Sequence, residues 1–364
     1  MLSDPYKEAE RVLTICNACR YCEGFCAVFP AMELRRTFSR EDIIYLANLC
    51  HNCRDCYYAC QYAPPHPFNV NFPRVMAQLR MTTYKSCVWP SWTGFFLGKW
   101  GVLLSISVVV ASIAFFGLLG FIWGNTPESL DTKAGLFYSV VPYPLIILLF
   151  SLLAMWAIFG IVKGVRNLWA AMGGSAGAWN SLTLHARALK NALTLEFLGG
   201  RGVGCNYPAE EFSMKRRYLH HAVFYGFLLC FGATTAAFYY HHVLGIAGPY
   251  SWFSLPVVLG TVGGFAILVG TSGLVYLKYR IDSNPSDRKS TIHDLFMLAL
   301  LFLIAFSGIF LLLLRGTVLM GLLLTVHLGL VAGLFFLTPC SKFIHGIYRY
   351  AALLKNAEEF PKGF

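Results

Sequence analysis

Residues 16–26 read CNACRYCEGFC, and residues 50–60 read CHNCRDCYYAC. Each stretch has the spacing C-x2-C-x2-C-x3-C, which bacterial proteins use to hold [4Fe–4S] clusters. The first three thiolates of such a run wrap around one cluster, whereas the fourth ligates the other cluster of a pair. The spacing therefore predicts two [4Fe–4S] clusters with crossed ligands. The first set is Cys16, Cys19, Cys22 and Cys60, and the second set is Cys50, Cys53, Cys56 and Cys26.

Two other uses of these cysteines agree less well with the pattern. A structural zinc ion takes four ligands, usually as two spaced pairs, and not two complete sets of four. A disulfide framework requires an oxidising compartment, and the polar start MLSDPYKEAERVLTIC offers no apolar export signal. We therefore expect reduced, cluster-binding thiols in the cytoplasm. The four remaining cysteines are expected to be structural thiols: Cys87, Cys205, Cys230 and Cys340.

The bulk composition is that of a polytopic membrane protein. The 364 residues are 57% hydrophobic and only 13% charged, with a mean hydropathy of +0.57, whereas soluble domains carry about 25% charged residues. Six apolar segments are each long enough to cross roughly 30 Å of hydrocarbon as a helix. These segments lie near residues 100–122, 141–162, 219–240, 256–277, 294–314 and 317–338.

The distribution of Lys and Arg predicts the orientation in the membrane. They number ten before residue 95, eight in 163–218, four in 278–293 and four after residue 338. The loops on the opposite side hold only Lys133 and Arg315. By the positive-inside rule, both termini and the loop 163–218 face the cytoplasm of a bacterial inner membrane. This topology accounts for the net charge of +11, so no nucleic-acid partner is expected.

The predicted fold class is all-α with two domains. Residues 1–94 are expected to form a cytoplasmic, helical, two-cluster ferredoxin-like domain, in which Ser39 caps a short helix that leads into Cys50. Residues 95–364 are expected to form a six-helix, cytochrome b-like membrane bundle. Within its loop 163–218, the apolar spacing after Asn180-Ser181 predicts a surface helix. The following GGRGVGCNYP predicts a tight turn, because no strand precedes it and no P-loop lysine follows.

Histidines in the membrane half form the second group of candidate ligands. Polar residues inside a membrane are costly and usually functional, and several at similar depths favour haem b. The predicted pairs are His220 or His221 with His345, and His241 or His242 with His327, which gives one or two haems. Eighteen residues separate His327 from His345, about five helical turns. Both therefore share a face if the helix is continuous, but a break at Pro339 would leave His345 on the surface.

The other histidines have weaker functional signals. His293, next to Asp294, is expected either to cap a helix or to aid proton uptake at a quinone site. His51, His66 and His185 are expected to bind no cofactor.

Longer stretches around these motifs resemble one known family. The stretches ICNACRYCEGFCAVFPAMELRR, CHNCRDCYYACQYAPPHPFNVNFPRV, RRYLHHAVFYGFLLCF and TPCSKFIHGIYRY resemble the tricarballylate-utilisation (citrate-utilisation) protein B family, over nearly the whole chain. The resemblance implies that clusters and haem reoxidise the flavin of a partner FAD-dependent dehydrogenase, which converts tricarballylate to cis-aconitate. The membrane half is also similar to the cytochrome b subunits of respiratory nitrate reductase and heterodisulfide reductase, which place two histidine ligands on one late helix.

The expected function is electron transfer from that flavoprotein, through two clusters and haem, to a quinone in the lipid bilayer. We expect no catalytic residue in this chain, because the cofactors carry the redox chemistry. Arg35, Arg36, Arg40 and Arg54 are candidates for steering an acidic partner. One alternative is the membrane iron–sulfur or cytochrome b subunit of another respiratory or heterodisulfide-reductase-like complex. A redox-sensing tricarboxylate transporter is less consistent, because the apolar segments lack central charges and broken helices.

Overall fold

A computed structural model describes residues 4–124 and 139–361, without the side chain of Arg201. Lys133, one of the two cations expected on the far side of the membrane, lies outside these residues. The structure is 73% helical, and the described residues contain one small sheet, in which β1 (Cys205–Asn206) pairs antiparallel with β2 (Phe212–Ser213). The predicted all-α class is confirmed.

Five helices form the part of the chain that carries the cysteine motifs. They are α1 (Pro5–Cys19), α2 (Val28–Glu33), α3 (Arg40–Leu49), α4 (Asp55–Tyr58) and α5 (Phe72–Cys87). The predicted helix before the second motif is α3. Its cap is reciprocal, because the Ser39 hydroxyl accepts from the Asp42 N–H and the Asp42 carboxylate accepts from the Ser39 N–H. The chain therefore leaves α3 at a fixed point and enters the second motif directly.

Six longer helices are long and apolar enough to cross a membrane, which confirms the predicted number of segments. They are α6 (Gly101–Gly124), α7 (Tyr143–Ala171), α10 (Lys215–His242), α11 (Leu255–Tyr279), α12 (Arg288–Leu313) and α13 (Met320–Leu337). Small residues bring them together, as is usual in membranes. A Cβ on Gly226 of α10 would lie 2.8 Å from the carbonyl oxygen of Gly263 in α11, and Gly329 of α13 lies against the backbone of Ile113 in α6.

The loop between α7 and α10 is structured. It contains α8 (Ala176–Trp179) and α9 (Leu182–Thr194), and α9 is the surface helix predicted after Asn180-Ser181. The glycine-rich segment that follows makes short 3₁₀ turns, with positive φ angles at Gly200, Gly202 and Gly204. The predicted tight turn is therefore confirmed, and it leads into β1.

The sixth membrane helix does not continue to His345. Helix α13 ends at Leu337, two 3₁₀ turns containing Pro339 follow, and a new helix, α14 (His345–Glu359), begins. Pro339 interrupts the helix because its nitrogen has no hydrogen to donate and its ring clashes with the preceding turn. His327 and His345 therefore lie on different helices, and the prediction that they share one helix face is wrong.

Helix α14 belongs to the apolar core of the part of the chain that carries the cysteine motifs. Its Tyr348 and Leu354 are fully buried in the same apolar cluster as Leu46 of α3 and Met76 of α5. The last turn of α14 is fastened by Glu359, which pairs with Arg35 at 2.5 Å. The end of the chain thus completes the core around the cysteine motifs, a long-range association that no local sequence pattern indicates.

Candidate functional site

The first predicted set of cysteines converges on one cavity. Cys16, Cys19, Cys22 and Cys60 line a cavity of about 270 Å³, and Cys56 of the second predicted set lines it as well. Helix α1 ends at Cys19, and a left-handed Arg20 (φ 56°) then reverses the chain towards Cys22. The Cys16 thiol interacts electrostatically with Cys60, Cys22 and Cys19. Cys60 of the second motif therefore joins three cysteines of the first.

The remaining four cysteines form a second group. The Cys26 thiol is the common partner in this group. It interacts electrostatically with Cys50, Cys53 and Cys56, and Cys56 interacts with Cys50 as well. Cys26 of the first motif thus joins three cysteines of the second. Cys56 also interacts with Cys22 and Cys16 of the first group, so the two groups are direct neighbours.

The electrostatics of these thiols suit metal clusters. Burial, followed by repulsion from neighbouring thiols, raises the pKa of Cys16, Cys22 and Cys26 to about 12. Reactive cysteines have lowered pKa values and some exposure, which is the opposite of this arrangement. Bound iron displaces thiol protons and supplies the missing positive charge. Buried thiols that repel one another, several of them around a cavity, have the chemistry that iron–sulfur ligation requires.

The two groups differ in their surroundings. The first group lies under an exposed surface, where Tyr21 is 68% accessible and Arg20 and Glu23 are also exposed. In the second group, Cys50 and Cys53 are 6% and 7% accessible, and Arg54 is 1% accessible. The second group is therefore the inner one.

Three arginines, of which Arg80 is buried and the other two are half-buried, hold the inner cysteine loop against the rest of the chain. Arg80 of α5 donates to the Ala47 and Cys50 carbonyls, and Arg349 of α14 donates to the Leu49 carbonyl at 3.0 Å. Arg216, in the first turn of α10, donates to the carbonyls of His51 and Asn52. These bonds tie the second motif to α10 and α14.

Arg54 extends the same contact surface from within the motif. It donates to the Asp282 carbonyl and the Ser286 hydroxyl, in the segment between α11 and α12. Among the described residues, its buried Nε has no hydrogen-bond partner. The prediction that Arg54 and Arg35 steer an acidic partner is therefore wrong. Arg54 is buried, and Arg35 pairs with Asp42 and Glu359. Arg36 and Arg40 are exposed.

His220 and His345 lie close together, beside Arg216 and Arg349, which bond to the backbone of the second cysteine motif and to Leu49. Their ring centres are 6.1 Å apart, with an angle of 77° between the ring planes. Metal–nitrogen bonds of about 2.0–2.1 Å on both sides of one ion place two imidazole centres about 6 Å apart. Pro339 breaks the helix and leaves His345 exposed, as expected for such a break. The turns after Pro339 also bring the His345 ring close to that of His220 in α10.

Hydrogen bonds orient two of the candidate haem ligands. His345 Nδ1 lies 2.7 Å from the Lys342 carbonyl oxygen, which only accepts, so Nδ1 carries the proton and Nε2 keeps a lone pair. His327 Nδ1 lies 2.9 Å from Ser307 Oγ. Because the Ser307 hydroxyl donates to the Ile304 carbonyl, it accepts from Nδ1 of His327. Such bonds to the second ring nitrogen are typical of metal-ligating histidines.

The neighbouring histidines have other surroundings. His221 hydrogen-bonds to the backbone of Leu193 and Thr194 in the loop before α10, so it points away from His345. At the other end of α10, the His242 ring nitrogen bonds to the Tyr143 hydroxyl, and the His241 ring centre is 4.1 Å from that of Tyr143. His327 lies eight residues into α13 and packs against Gly308 of α12.

The remaining histidines have mainly structural contacts. His293 does not cap α12, because Asp287 holds that position and accepts from the Ser290 N–H. Instead, His293 hydrogen-bonds to the backbone of Gly98. His51 bonds to the Leu49 carbonyl, His66 accepts from the Phe68 N–H, and His185 bonds to the Tyr350 hydroxyl and the Trp179 carbonyl.

A charged network lies beside His345 on the membrane side. Asp294 of α12 pairs with Lys278 of α11 at 2.7 Å and also with Lys342. The Lys342 ammonium donates further to the Ser290 carbonyl at 2.9 Å. Since the Lys342 carbonyl orients His345, this network holds the turn that positions the histidine. The sequence pointed to Asp294 only through its neighbour His293, and nothing in it pointed to Lys342.

Comparisons with known proteins agree with this arrangement. The family model for the citrate utilization protein B Fer4-like domain matches residues 9–86, and the model for citrate utilization protein B matches residues 100–362. The chain belongs to the citrate utilization protein B family. The predicted resemblance to that family is therefore confirmed.

Citrate utilization protein B of Escherichia coli is 44% identical to this chain over 364 residues, which cover 100% of the chain and 95% of that protein. No solved structure matches the chain. Family membership, the Fer4-like domain and the convergent thiols together fit an iron–sulfur electron-transfer role in citrate or tricarballylate utilization.

Proposed function

We propose that this chain carries electrons from a reduced FAD-dependent dehydrogenase, through two [4Fe–4S] clusters and haem b, to a membrane quinone. One observation supports the proposal most strongly. Arg216 donates to the backbone of the second cysteine motif and also interacts electrostatically with His220, one of the facing histidine pair. The inner sulfur group and the candidate haem site are thus neighbours joined by one side chain.

The order of the sites supports transfer from the exposed surface inward. Cys16, Cys19, Cys22 and Cys60 would hold the outer cluster beneath the exposed surface, where a soluble flavoprotein has access. Cys50, Cys53, Cys56 and Cys26 would hold the inner cluster, beside the three arginines that hold its loop. Clusters and haem supply one-electron chemistry when bound, while the protein sets their spacing, burial and charge environment.

His220 and His345 are the ligand pair that the geometry favours for haem b. Their ring separation suits a shared metal ion, and the Lys342 carbonyl leaves Nε2 of His345 available. His221 is the poorer candidate, because it bonds to the loop backbone. A second haem held by His327 with His241 or His242 stays a prediction, supported by the Ser307 bond that orients His327.

The charge pattern supports an inner-membrane location with both termini in the cytoplasm. Arg216 of α10 and Arg349 of α14 lie at the cysteine-bearing end of the bundle, whereas Arg315 lies beyond the far end of α12 and donates to the Tyr250 carbonyl. In this orientation the clusters face cytoplasmic flavoproteins, and reduced quinone forms within the bilayer.

The test is reoxidation of the partner's flavin. Membranes that contain this chain are mixed anaerobically with reduced tricarballylate dehydrogenase, and flavin absorbance is followed with and without added quinone. Wild-type membranes should reoxidise the flavin, Cys56→Ala should abolish this, and Cys230→Ala, a cysteine outside both groups, should not. Oxidation of a different flavoprotein only would favour another respiratory complex. Quinone-independent uptake of labelled tricarballylate, without flavin oxidation, would favour a transporter.

A further inference from the structure

Cys205 lies against the inner sulfur group, although it is about 150 residues away in sequence. Its sulfur, the sulfur of Cys53 and a carboxylate oxygen of Asp55 all lie within 4.8 Å of one another, and all three side chains are buried. Cys205 is 1% accessible, Cys53 7% and Asp55 5%. Neither the cysteine spacing nor the family match assigns Cys205 a role.

The backbone around Cys205 holds the thiol in this place. The Asn206 N–H donates to the Asp55 carboxylate at 2.7 Å, and β1 pairs with β2 beside it. The next residue, Tyr207, lies between two cations, with its ring centre 4.9 Å from the Arg54 guanidinium and 4.5 Å from that of Arg216. Strand β1 and Tyr207 are thus held against Arg54 and Asp55, the two residues after Cys53, and Cys205 and Tyr207 pack in one buried cluster with Cys53.

The hydrogen-bonding options of Cys205 change when Cys53 binds iron. In this structure the Cys205 thiol donates to the Leu198 carbonyl at 3.3 Å, and the Cys53 sulfur lies within 4.8 Å of the Cys205 sulfur. As a metal ligand, Cys53 has lost its proton and becomes a pure acceptor. The Cys205 S–H then has a neutral carbonyl and a charged thiolate within reach, and bonds to charged acceptors are about twice as strong.

We propose that Cys205 is a positioning residue of the inner cluster, whose S–H donates to the Cys53 sulfur and raises the reduction potential of that cluster. Hydrogen bonds to cluster sulfurs are among the factors that set potential, because they stabilise the more negative, reduced state. A raised potential at the inner cluster favours the flow of electrons inward from the outer cluster. This inference rests on the proposed function, since it requires that Cys53 holds a cluster.

The test is a redox titration of the full-length protein followed by electron paramagnetic resonance. In Cys205→Ala, we expect both clusters to assemble with unchanged iron content. The equilibrium constant for electron transfer from the outer to the inner cluster should fall about tenfold. For a one-electron couple, this is a decrease of about 59 mV in the potential of the inner cluster. Cys205→Ser, which keeps a donor, should restore most of the difference, and Cys230→Ala should change neither potential.

Each other result has a definite meaning. Unchanged potentials in a fully loaded Cys205→Ala protein would overturn the proposal, and so would the loss of a cluster, which would make Cys205 a ligand. If the alanine variant does not fold, wild-type protein in deuterated water replaces it. There an exchangeable proton coupled to the inner cluster supports the bond, and its absence overturns it. A wild-type protein without clusters would instead contradict the proposed function itself.

Discussion

The rings of His220 in α10 and His345 in α14 face each other at 6.1 Å. His345 is the first residue of a helix whose later turns pack in the core around the cysteine motifs. His220 lies near the start of a helix that crosses the membrane. The pair therefore forms at the boundary between the two parts of the chain, next to the arginines that bind the inner cysteine loop.

His220→Ala should remove the haem held at this boundary. Loss of an outer-shell partner alone costs roughly 10–100-fold in metal affinity, so loss of a ligand should leave roughly a tenth or less of the haem that this pair holds. His221→Ala is the matched control, since His221 bonds to Leu193 and Thr194 and should keep the haem. Pyridine haemochrome absorbance measures the content. Normal haem content in His220→Ala and loss of haem in His221→Ala would show that His221 is the ligand instead.

Arg35→Gln should loosen α14 from the cysteine domain. Arg35 bonds at 2.5 Å to both Asp42 and Glu359, and hydrogen bonds to charged groups contribute about 1.5–3 kcal/mol. We therefore expect a lower melting temperature in detergent. Arg36→Gln is the control, because Arg36 is exposed and its loss should change the melting temperature little.

The Arg35 effect should also depend on pH. Burial alone would raise the pKa of Asp42, but hydrogen bonds from Arg35 and Ser39 hold it below 3.8. A carboxylate with a lowered pKa stabilises the fold above its unfolded value, about 3.9, and loses that contribution as the pH falls through the folded value. The difference between Arg35→Gln and wild type should be equal at pH 5 and pH 8 and shrink only below about pH 4. A difference that already shrinks between pH 8 and pH 5 would point to another group.

Local patterns predicted most of the fold, while contacts distant in sequence were missed. The spacing of the cysteines predicted which thiols meet, because three ligands on one short loop leave the fourth free to cross. Apolar segment length predicted the six membrane helices. Arg349 bonds to Leu49, which is 300 positions away, and Asn206 bonds to Asp55, which is 151 positions away. Nothing in either segment alone encodes such a contact, so the place of α14 in the core and the position of Cys205 beside Cys53 were not predicted.

Asp294→Asn should destabilise the protein and weaken haem binding together. The substitution leaves Lys278 and Lys342 without their carboxylate, and removing one partner of a fully buried pair costs about 3–5 kcal/mol. Asp294 is 31% accessible, so we expect about 1–3 kcal/mol after allowing for solvent screening. Haem should be lost with it, because the Lys342 turn orients His345. Thermal melting and haem absorbance check both effects, with the exposed Glu210→Gln as the control for charge. Lower stability with an unchanged haem content would show that the charged network does not position His345.

Cys60→Ala should remove the outer cluster, although Cys60 belongs to the second motif. Its thiol meets Cys16, Cys19 and Cys22 around the cavity, so the variant should lose about four of about eight cluster irons. The remaining paramagnetic resonance signal should match that of Cys16→Ala. The matched variant is Cys26→Ala, whose thiol meets Cys50 of the other motif, so its remaining signal should match that of Cys50→Ala. If each motif held its own cluster, Cys60→Ala would instead resemble Cys50→Ala. The comparison of four spectra therefore decides between crossed and uncrossed ligation, because the two arrangements exchange the partners of only these two cysteines.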